Sequence, residues 1–509
     1  MNLTKSLILG SAAGLVAMSG AQAADLPVKA KAVEYVKICS LYGAGFYYIP
    51  GTDTCIKLSG YLRVDVLANT NADATGNESG PAGLGNRFTN AYTWRSREDF
   101  DIDTRTATEY GVVRTFFDAT MSWTDDNYSS NGTNSLGSVY SQIGATGAGQ
   151  ANNGTSGAVA AGTLGVYYAF IQFAGFTMGK AISPFSAQFV NYPGNNFDGL
   201  VGGGGTVTGV NQFVYTAQFG NGVSGTLGVQ DSTQYYQAGV VNFGALGSGA
   251  SYSGTSDYAG TVFPDIVGNI TVDQAWGVAQ LSVAAHDNNP AYYNNALIQA
   301  GHPDDKWGFA VQGALTIKNI PTGAGDTINA QAVYTNGATR YNIQDLAGSA
   351  GAWLTTNGGT VGFSYAPDSV FSTNGQQQLI STWGGRGAFN HNWNPYWSSA
   401  IYGAYADVHY GSAATAIVCA SVAATSAFLA TATSTGITSC NPNYSIAQLG
   451  FITRWTPVKN LTFSADYTYQ HLNTNYAGQI TTAGGSGTGV YTVANQNTHE
   501  ILFRAQRNW

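Results

Sequence analysis

Alternation of polar and apolar residues at every second position is the feature of this sequence that most restricts its fold. In residues 55–68 the polar side chains fall on one parity and the apolar side chains fall on the other. Because successive side chains of a strand point to opposite faces, such a segment has one wet face and one apolar face. The pattern returns in residues 93–103 and 461–470. The sequence therefore predicts a protein built from β-strands that each have one polar face and one apolar face.

Short and long connections alternate between these segments. Short turns such as 173–175 and 220–222 follow even-numbered strands, whereas long connections such as 129–162 and 183–209 follow odd-numbered strands. The strands are expected to begin near Cys55, Tyr92, Glu109, Leu164, Phe176, Asn211, Val223, Asp265, Trp276, Lys306, Thr327, Ile380, Tyr396, Ser445, Leu461 and Thr498. Such an arrangement is typical of an outer-membrane barrel. The expected fold is all-β, a transmembrane antiparallel β-barrel of 16 strands with long extracellular loops.

Closure of the sheet follows from the hydrocarbon that surrounds a membrane-spanning sheet. An open edge in hydrocarbon would leave backbone groups unpaired at several kcal/mol each. The first strand is therefore expected to pair with the sixteenth. A further hairpin arm at 359–367 would raise the strand count by two.

Composition agrees with a lipid-facing sheet and excludes one class of partner. Charged residues make up 9% of the chain, against about a quarter in soluble domains. Half of each barrel strand faces lipid and cannot carry charge, which accounts for the deficit. The net charge of −8 argues against a nucleic-acid partner, which would require a basic face.

The N-terminus resembles a secretory signal. Lys5 supplies the positive region, residues 7–16 the apolar region and Ala21-Gln22-Ala23 the small-residue cleavage site. The alternative is a membrane anchor, but a spanning helix needs about 20 apolar residues, and the apolar region at 7–16 is shorter than that. We expect a signal peptide at 1–23 and an outer-membrane barrel protein at 24–509, with a periplasmic lead-in at 24–54 and the barrel at 55–509.

Four cysteines form two pairs that are close in sequence, Cys39 with Cys55 and Cys419 with Cys440. In an exported protein this pattern predicts two disulfides. Metal ligation is the alternative, but the spacings fit no zinc pattern. Closing the first loop would stabilise the fold by about 3 kcal/mol on the chain-entropy model. The uncharged segment 413–438, which includes Cys419, is interpreted as an extracellular loop with a short helix; a spanning helix is the alternative.

The sequence carries no recognisable catalytic or cofactor motif. The run Gly202–Gly205 lacks the lysine of a phosphate-binding loop, and no G-x-S-x-G elbow is present. No cofactor or metal is therefore expected. A lipase or protease built on a barrel is the enzyme-class alternative.

Three segments carry a family resemblance. The runs CSLYGAGFYYIPGTDTCIK at 39–57, IQFAGFT at 171–177 and RAQRNW at 504–509 resemble the alphaproteobacterial general porins. The resemblance implies a homotrimeric diffusion pore in the outer membrane of a Gram-negative bacterium, surrounded by lipid and lipopolysaccharide and passing small hydrophilic solutes and ions. It also implies a third long loop folded into the lumen. Porins of this family usually end in Phe, whereas this chain ends in Trp509.

Charged residues on the wet parity of the first three strands are the candidate pore lining. The positive members are Lys57, Arg63, Arg95, Arg97 and Arg114, and the negative members are Asp65, Asp99, Asp101, Asp103 and Asp118. These pairs could simply brace the wall, or the arginines could line a constriction opposite the third loop. That loop, 183–209, contributes one charge, Asp198, and four aromatic residues. The balance of charge predicts weak ion selectivity.

Two other channel or barrel functions remain as alternatives. A substrate-specific channel, for example for sugars, would require a track of lumen aromatics. Trp397 and Tyr405 are predicted to share the inward parity and would be a short track. A structural or adhesin barrel would require binding loops and a plugged lumen.

Overall fold

The computed structural model describes residues 37–69, 92–124, 163–190, 194, 199–205, 208–233, 236–244, 256–294, 297–344, 351–354, 359–425, 427–429, 432–482 and 489–509. Within these residues sixteen long strands form one barrel. Their bounds are β1 Thr54–Asn69, β2 Tyr92–Thr108, β3 Gly111–Thr124, β4 Thr163–Phe173, β5 Phe176–Ala181, β6 Val210–Gly220, β7 Val223–Gln230, β8 Asp265–Gln274, β9 Gly277–Asn288, β10 Lys306–Lys318, β11 Thr327–Asn336, β12 Ser381–Asn394, β13 Trp397–His409, β14 Tyr444–Val458, β15 Leu461–Thr474 and β16 Gln496–Asn508.

Every barrel strand pairs antiparallel with its neighbours, and β1 pairs with β16 to close the sheet. The predicted strand starts lie within two residues of the observed ones. Short turns follow the even-numbered strands and long connections the odd-numbered ones, as predicted. The segment Thr360–Ser364 is a strand, but it pairs outside the barrel and leaves the barrel count at sixteen.

The alternation of side chains separates the two faces of the wall. On β10, Trp307, Phe309 and Val311 are exposed on the outer face, whereas Ala310 and Gln312, on the other parity, are buried inside. Apolar side chains on the outer face suit lipid, and amide side chains inside suit water or loop backbone. The period-2 pattern read from the sequence therefore determines which residues reach the interior.

The seam between β1 and β16 is tied by the last residue. The backbone N–H of Trp509 donates to the carbonyl of Gly60 at 3.1 Å, and the N–H of Gly60 donates back at 3.3 Å. The indole N–H of Trp509 donates to Glu98 Oε1 at 3.2 Å, and its ring lies 5.9 Å from that of Phe100. The terminal aromatic residue thus extends the closing strand pair.

Arg507 departs from the apolar pattern of the outer face of β16. Its guanidinium donates a hydrogen bond to the carbonyl of Lys459 in the adjacent turn. A long side chain near a strand end can keep its charge at the membrane surface in this way.

Loop segments build a second layer at the end of the barrel that carries the long connections. The helix α1 Ser412–Thr425 confirms the short helix predicted in 413–438. In the described part of the chain, no helix is long and apolar enough to cross a membrane. The remaining strands are Tyr47–Tyr48, Val240–Asn242, Gly351–Leu354, Thr360–Ser364, Ser369–Phe371, Gln378–Leu379, Ala427–Leu429, Ala432–Ser439, Ala477–Thr482 and Gly489–Val493, and the 3₁₀ turns are Ser40–Tyr42, Ile298–Ala300 and Thr339–Tyr341.

Both predicted disulfides are present. Cys39 and Cys55 join the lead-in to the start of β1 with a Cα–Cα distance of 6.1 Å. Cys419 and Cys440 join α1 to the loop that leads into β14, with a Cα–Cα distance of 5.7 Å. The first bond fixes the N-terminal segment at the turn end of the barrel, and the second fixes the helix in the loop layer.

A carboxylate at the turn between β10 and β11 is held by several donors. Asp326 accepts hydrogen bonds from Thr322 Oγ1 at 2.7 Å, from the backbone N–H of Asn392 at 2.9 Å and from His391 Nδ1 at 2.6 Å. Burial by itself would raise the pKa of Asp326, but these hydrogen bonds outweigh it and lower the pKa to about 2. The ionised carboxylate therefore ties the turn between β10 and β11 to the end of β12.

Candidate functional site

The strand register places all the predicted wall charges of β1 to β3 on one face. Arg63 lies opposite Arg97, and Asp65 lies opposite Arg95. On the next pair Asp101 lies opposite Asp118. Residues directly opposite in an antiparallel pair point to the same face. The charges therefore stand together on the inner face of this part of the wall.

Two of the carboxylates are each shared by two arginines. Buried Asp65 is 3.0 Å from Arg63 Nε and 2.5 Å from Arg504 Nε. The second arginine comes from β16, so this pair of contacts crosses the closing seam. Buried ion pairs of this kind are costly to break singly, because one charge is left uncompensated.

The second shared carboxylate lies nearer the turn end. Asp103 is 2.9 Å from Arg105 Nη2 and 3.0 Å from Arg114 Nη2. Arg114 Nη1 also donates to Gln172 Oε1 at 3.0 Å. This network links β2, β3 and β4 and fixes the direction of the Arg114 side chain.

Three further carboxylates form an acidic group on the same wall, further from the turn end than Asp103. Each of Asp99, Asp101 and Asp118 has a carboxylate oxygen in a group whose members lie within 4.8 Å of one another. The hydroxyl of Ser59 donates to Asp101 Oδ2 at 3.2 Å. The wall thus separates into arginine-bound carboxylates and a group of neighbouring carboxylates. This separation was not evident from the balanced count of charges.

The third long connection, 182–209, is bound by side chains on the inner face of the opposite wall. Arg386 Nη1 and Nη2 donate to the carbonyls of Leu200 and Gly204 at 3.3 and 3.0 Å. Gln331 Nε2 donates to the carbonyl of Gly202 at 2.9 Å. These donors come from β12 and β11.

Glutamines on two more strands extend the attachment. The N–H of Val201 donates to Gln448 Oε1 on β14 at 2.9 Å. Gln312 Nε2 on β10 donates to the carbonyl of Phe185 at 3.0 Å. These backbone groups of the third loop are therefore satisfied by the polar inner faces of β10, β11, β12 and β14.

Aromatic packing holds the start of the loop. Phe185 is fully buried, with its ring 4.6 Å from that of Tyr341. Phe189 packs against a small buried cluster that includes Ala314 on β10. Asp198 and the aromatic residues at 192 and 197 lie outside the described residues.

Comparison with known proteins identifies the family. The family model described as "Porin subfamily" matches residues 25–503. This chain belongs to the porin subfamily.

Curated relatives agree with this assignment. Porin Omp2b of Brucella canis is 32% identical over 292 residues, which cover 57% of this chain and 67% of the relative. Porin Omp2b of Brucella melitensis biotype 1 matches with the same identity and coverage. The resemblance to alphaproteobacterial porins predicted from the three sequence segments is thereby confirmed.

A solved structure supports the fold alone. The outer membrane channel DcaP of Acinetobacter baumannii superimposes with a TM-score of 0.56 at 14% identity, covering 91% of this chain and 99% of that one. The family and the closed sixteen-stranded barrel place this porin in the outer membrane of a Gram-negative bacterium, as a general diffusion channel. The porin family and its relatives are channels rather than enzymes.

Two interior charges of this porin were missed in the sequence. Arg105 binds Asp103, and Arg386 binds the third loop. Both lie on inward parities that the alternation defines, so extending the count of charges to every strand would have found them. Their partners could not be found this way, because pairing depends on register between distant strands.

A β-bulge adds an inward side chain that alternation cannot predict. The register between β3 and β4 shifts so that Asp118 pairs with Tyr168 and Ala119 pairs with Val166. Tyr167 is left between them, and its ring lies 5.8 Å from the guanidinium carbon of Arg97, an inner-face residue. The bulge therefore turns two consecutive tyrosines towards the interior.

The predicted inward direction of Trp397 and Tyr405 is wrong. Exposed Trp397 stacks on exposed Trp455 at 6.0 Å, and Tyr405 packs against exposed Trp383 at 5.1 Å. Tyr402, on the other parity, is the buried aromatic residue of β13. Both faces of β13 are apolar because its inner face joins a hydrophobic cluster with the third loop. Polarity therefore could not distinguish the faces.

Proposed function

We propose that small hydrophilic solutes and ions cross this porin passively along the charged wall of β16 and β1 to β3, with the third loop in the lumen narrowing the path from the opposite side. The observation that carries the proposal is the attachment of the loop backbone to the inner faces of β10, β11, β12 and β14. A loop held on one side leaves the charged wall as the water-lined side of the passage.

The ion selectivity of this path is expected to be weak. Arginines and carboxylates both stand on the wall, and Asp65 and Asp103 each neutralise part of two guanidinium groups. Charges that face a pore at close range determine which ions pass. A wall that carries both positive and negative side chains therefore prefers neither cations nor anions strongly.

Reversal potentials across a planar bilayer with a salt gradient test the proposal. Replacing Arg97 and Arg114 by alanine together should shift selectivity towards cations, whereas Asp198→Ala should shift it towards anions. Phe117→Ala, on the exposed outer face of β3, is the control and should leave the potential unchanged. Unchanged potentials in both charge variants would place these residues away from the narrowest part of the pore.

We also propose that three copies associate through the side of the barrel wall that contains the short strand β5. Strand β5 has 6 residues, which reach roughly 20 Å when extended, less than the apolar band of about 25 Å. Its exposed Phe176 contacts Phe213 and Tyr215 of β6 on the outer face. A second copy covers such a surface better than lipid of full thickness. Cross-linking in mild detergent should stop at three copies, and monomers alone would contradict this proposal.

The N-terminal segment is proposed as a cleaved export signal. Residues 1–23 lie outside the described residues, and the proposal rests on their sequence pattern. Terminal sequencing of the protein purified from outer membranes should begin at Ala24. A chain that still begins at Met1 there would contradict it.

A further inference from the structure

Three aromatic rings form an apolar surface on the inner face of β3 and β4. Phe116 lies opposite Phe170, and Asp118 lies opposite Tyr168, so these rings share the face of the wall charges. The ring of Phe116 is 5.4 Å from that of Phe170 and 6.3 Å from that of Tyr168. The planes are inclined by 33° and 43°. Phe116 is therefore tilted against both of its neighbours and meets neither of them edge-on.

The charged group beside this surface is held in place. The guanidinium carbon of Arg114 lies 5.0 Å from the ring centre of Phe116 and 5.5 Å from that of Phe170. Asp103 and Gln172 bind its N–H groups. Arg114 thus borders the rings at the turn end, and Asp103, which it shares with Arg105, neutralises part of its charge.

A recess of about 530 Å³ lies between the rings and the beginning of the third loop. This volume is in the range of small-molecule sites, about 300 to 1,000 Å³. Apart from Arg114 its polar lining is neutral. Amides and hydroxyls of the third loop and of β6 to β8 also line the recess, among them Gln188, Gln212, Thr216, Thr226 and Thr271.

A second recess continues the first towards the turn end. It measures about 550 Å³ and shares Arg114, Gln172, Thr177 and Thr216 with the first. Tyr42 of the disulfide-bonded lead-in also lines it. The two recesses are therefore adjacent, and the second lies nearer the short turns.

Aromatic surface on one side and neutral hydrogen-bonding groups on the other match the two sides of a pyranose ring. Its C–H groups present a flat apolar face to the negative face of an aromatic ring. Its hydroxyls lie around the edge, where amide and hydroxyl side chains can both donate and accept. We propose that this recess is a subsite for neutral pyranose sugars inside the lumen. The proposal rests on the passive pore proposed above and adds a preference to it.

Inhibition of the ion current by a sugar tests the subsite. Maltose added to the porin in a planar bilayer should reduce the current with saturation. Sorbitol has comparable hydroxyls but no ring, and should reduce the current only in proportion to the conductivity of the solution. Equal, non-saturating effects of the two solutes would overturn the subsite.

Variants of the rings locate the effect. Phe116→Leu and Phe170→Leu retain apolar volume but remove a ring, and each should raise the half-saturating maltose concentration several-fold, up to about tenfold for a loss of ~1.4 kcal/mol. The control is Phe117→Leu, the next residue on the exposed outer face of β3, which should behave as the wild type. Heat-modifiable migration in a gel shows that each variant is folded.

The outcomes separate the two proposals. A folded porin that gives no ion current contradicts the pore itself. A porin that conducts normally, but whose inhibition by maltose is the same in Phe116→Leu, Phe170→Leu and Phe117→Leu, contradicts only the sugar subsite.

Discussion

Replacing Arg386 by lysine should loosen the third loop while keeping the charge on the wall. The buried guanidinium donates to two loop carbonyls, those of Leu200 and Gly204. A hydrogen bond from a charged group contributes about 1.5–3 kcal/mol. Lysine is a point donor that cannot span both carbonyls as the planar guanidinium does. We expect the loss of one such bond.

The expected size of the effect follows from this loss. A change of about 1.5–3 kcal/mol alters the ratio of attached to released loop by roughly ten- to a hundredfold, since ~1.4 kcal/mol is tenfold. Arg386→Ala removes both bonds, and the ratio should then change by a hundredfold or more. Single-channel recordings should show current fluctuations in the lysine variant and more frequent ones in the alanine variant.

A second variant tests the same attachment from the loop side. Gly202 has φ of +93°, and a Cβ there would lie 2.5 Å from the carbonyl carbon of Gly385. Gly202→Ala should therefore displace the loop and reproduce the fluctuations. Arg507→Lys is the control, because Arg507 also donates to a carbonyl but lies outside at a turn. Quiet wild-type currents in both Arg386→Lys and Gly202→Ala would refute this account of the loop.

Three further predictions concern stability and assembly. Asp65→Asn leaves Arg63 and Arg504 without their shared charge and should destabilise the barrel by about 3–5 kcal/mol; an unchanged heat-modification temperature would contradict this. Because the pKa of Asp326 is lowered to about 2, its contribution is complete above about pH 4 and is lost as the pH falls through about 2. Unfolding should therefore be easier at pH 2 than at pH 5, with a smaller difference in Asp326→Asn; an equal difference would exclude the role. Deleting Trp509 should prevent most insertion into the outer membrane, and normal amounts of folded trimer would show that the terminal residue is dispensable.

The architecture could be predicted from the sequence because the membrane imposes it. Lipid on one face and water on the other enforce alternation, and turn length identifies the two ends of the barrel. This is why strand starts such as Tyr92, Lys306 and Leu461 coincide with the observed ones. The same logic assigned the wall charges of β1 to β3 to one face, and the register agrees.

The contents of the lumen could be predicted only in part. Alternation fails where the interior is itself apolar, as on β13, so Trp397 and Tyr405 were assigned to the wrong face. It also fails at the bulge that turns Tyr167 inward. The contacts of Arg386 with the third loop join residues about 180 positions apart. Such contacts depend on the closed barrel and leave no local pattern.

Chemical labelling of single introduced cysteines tests directly whether the charged wall of β2 faces the conducting path. The four native cysteines are paired in two disulfides, so Asp101→Cys and Ile102→Cys would each add one free thiol. A negatively charged methanethiosulfonate added to the bilayer chamber should reduce the current through Asp101→Cys and leave Ile102→Cys, on the opposite face of the strand, unchanged. An unchanged current through labelled Asp101→Cys, or equal inhibition of both variants, would contradict the account.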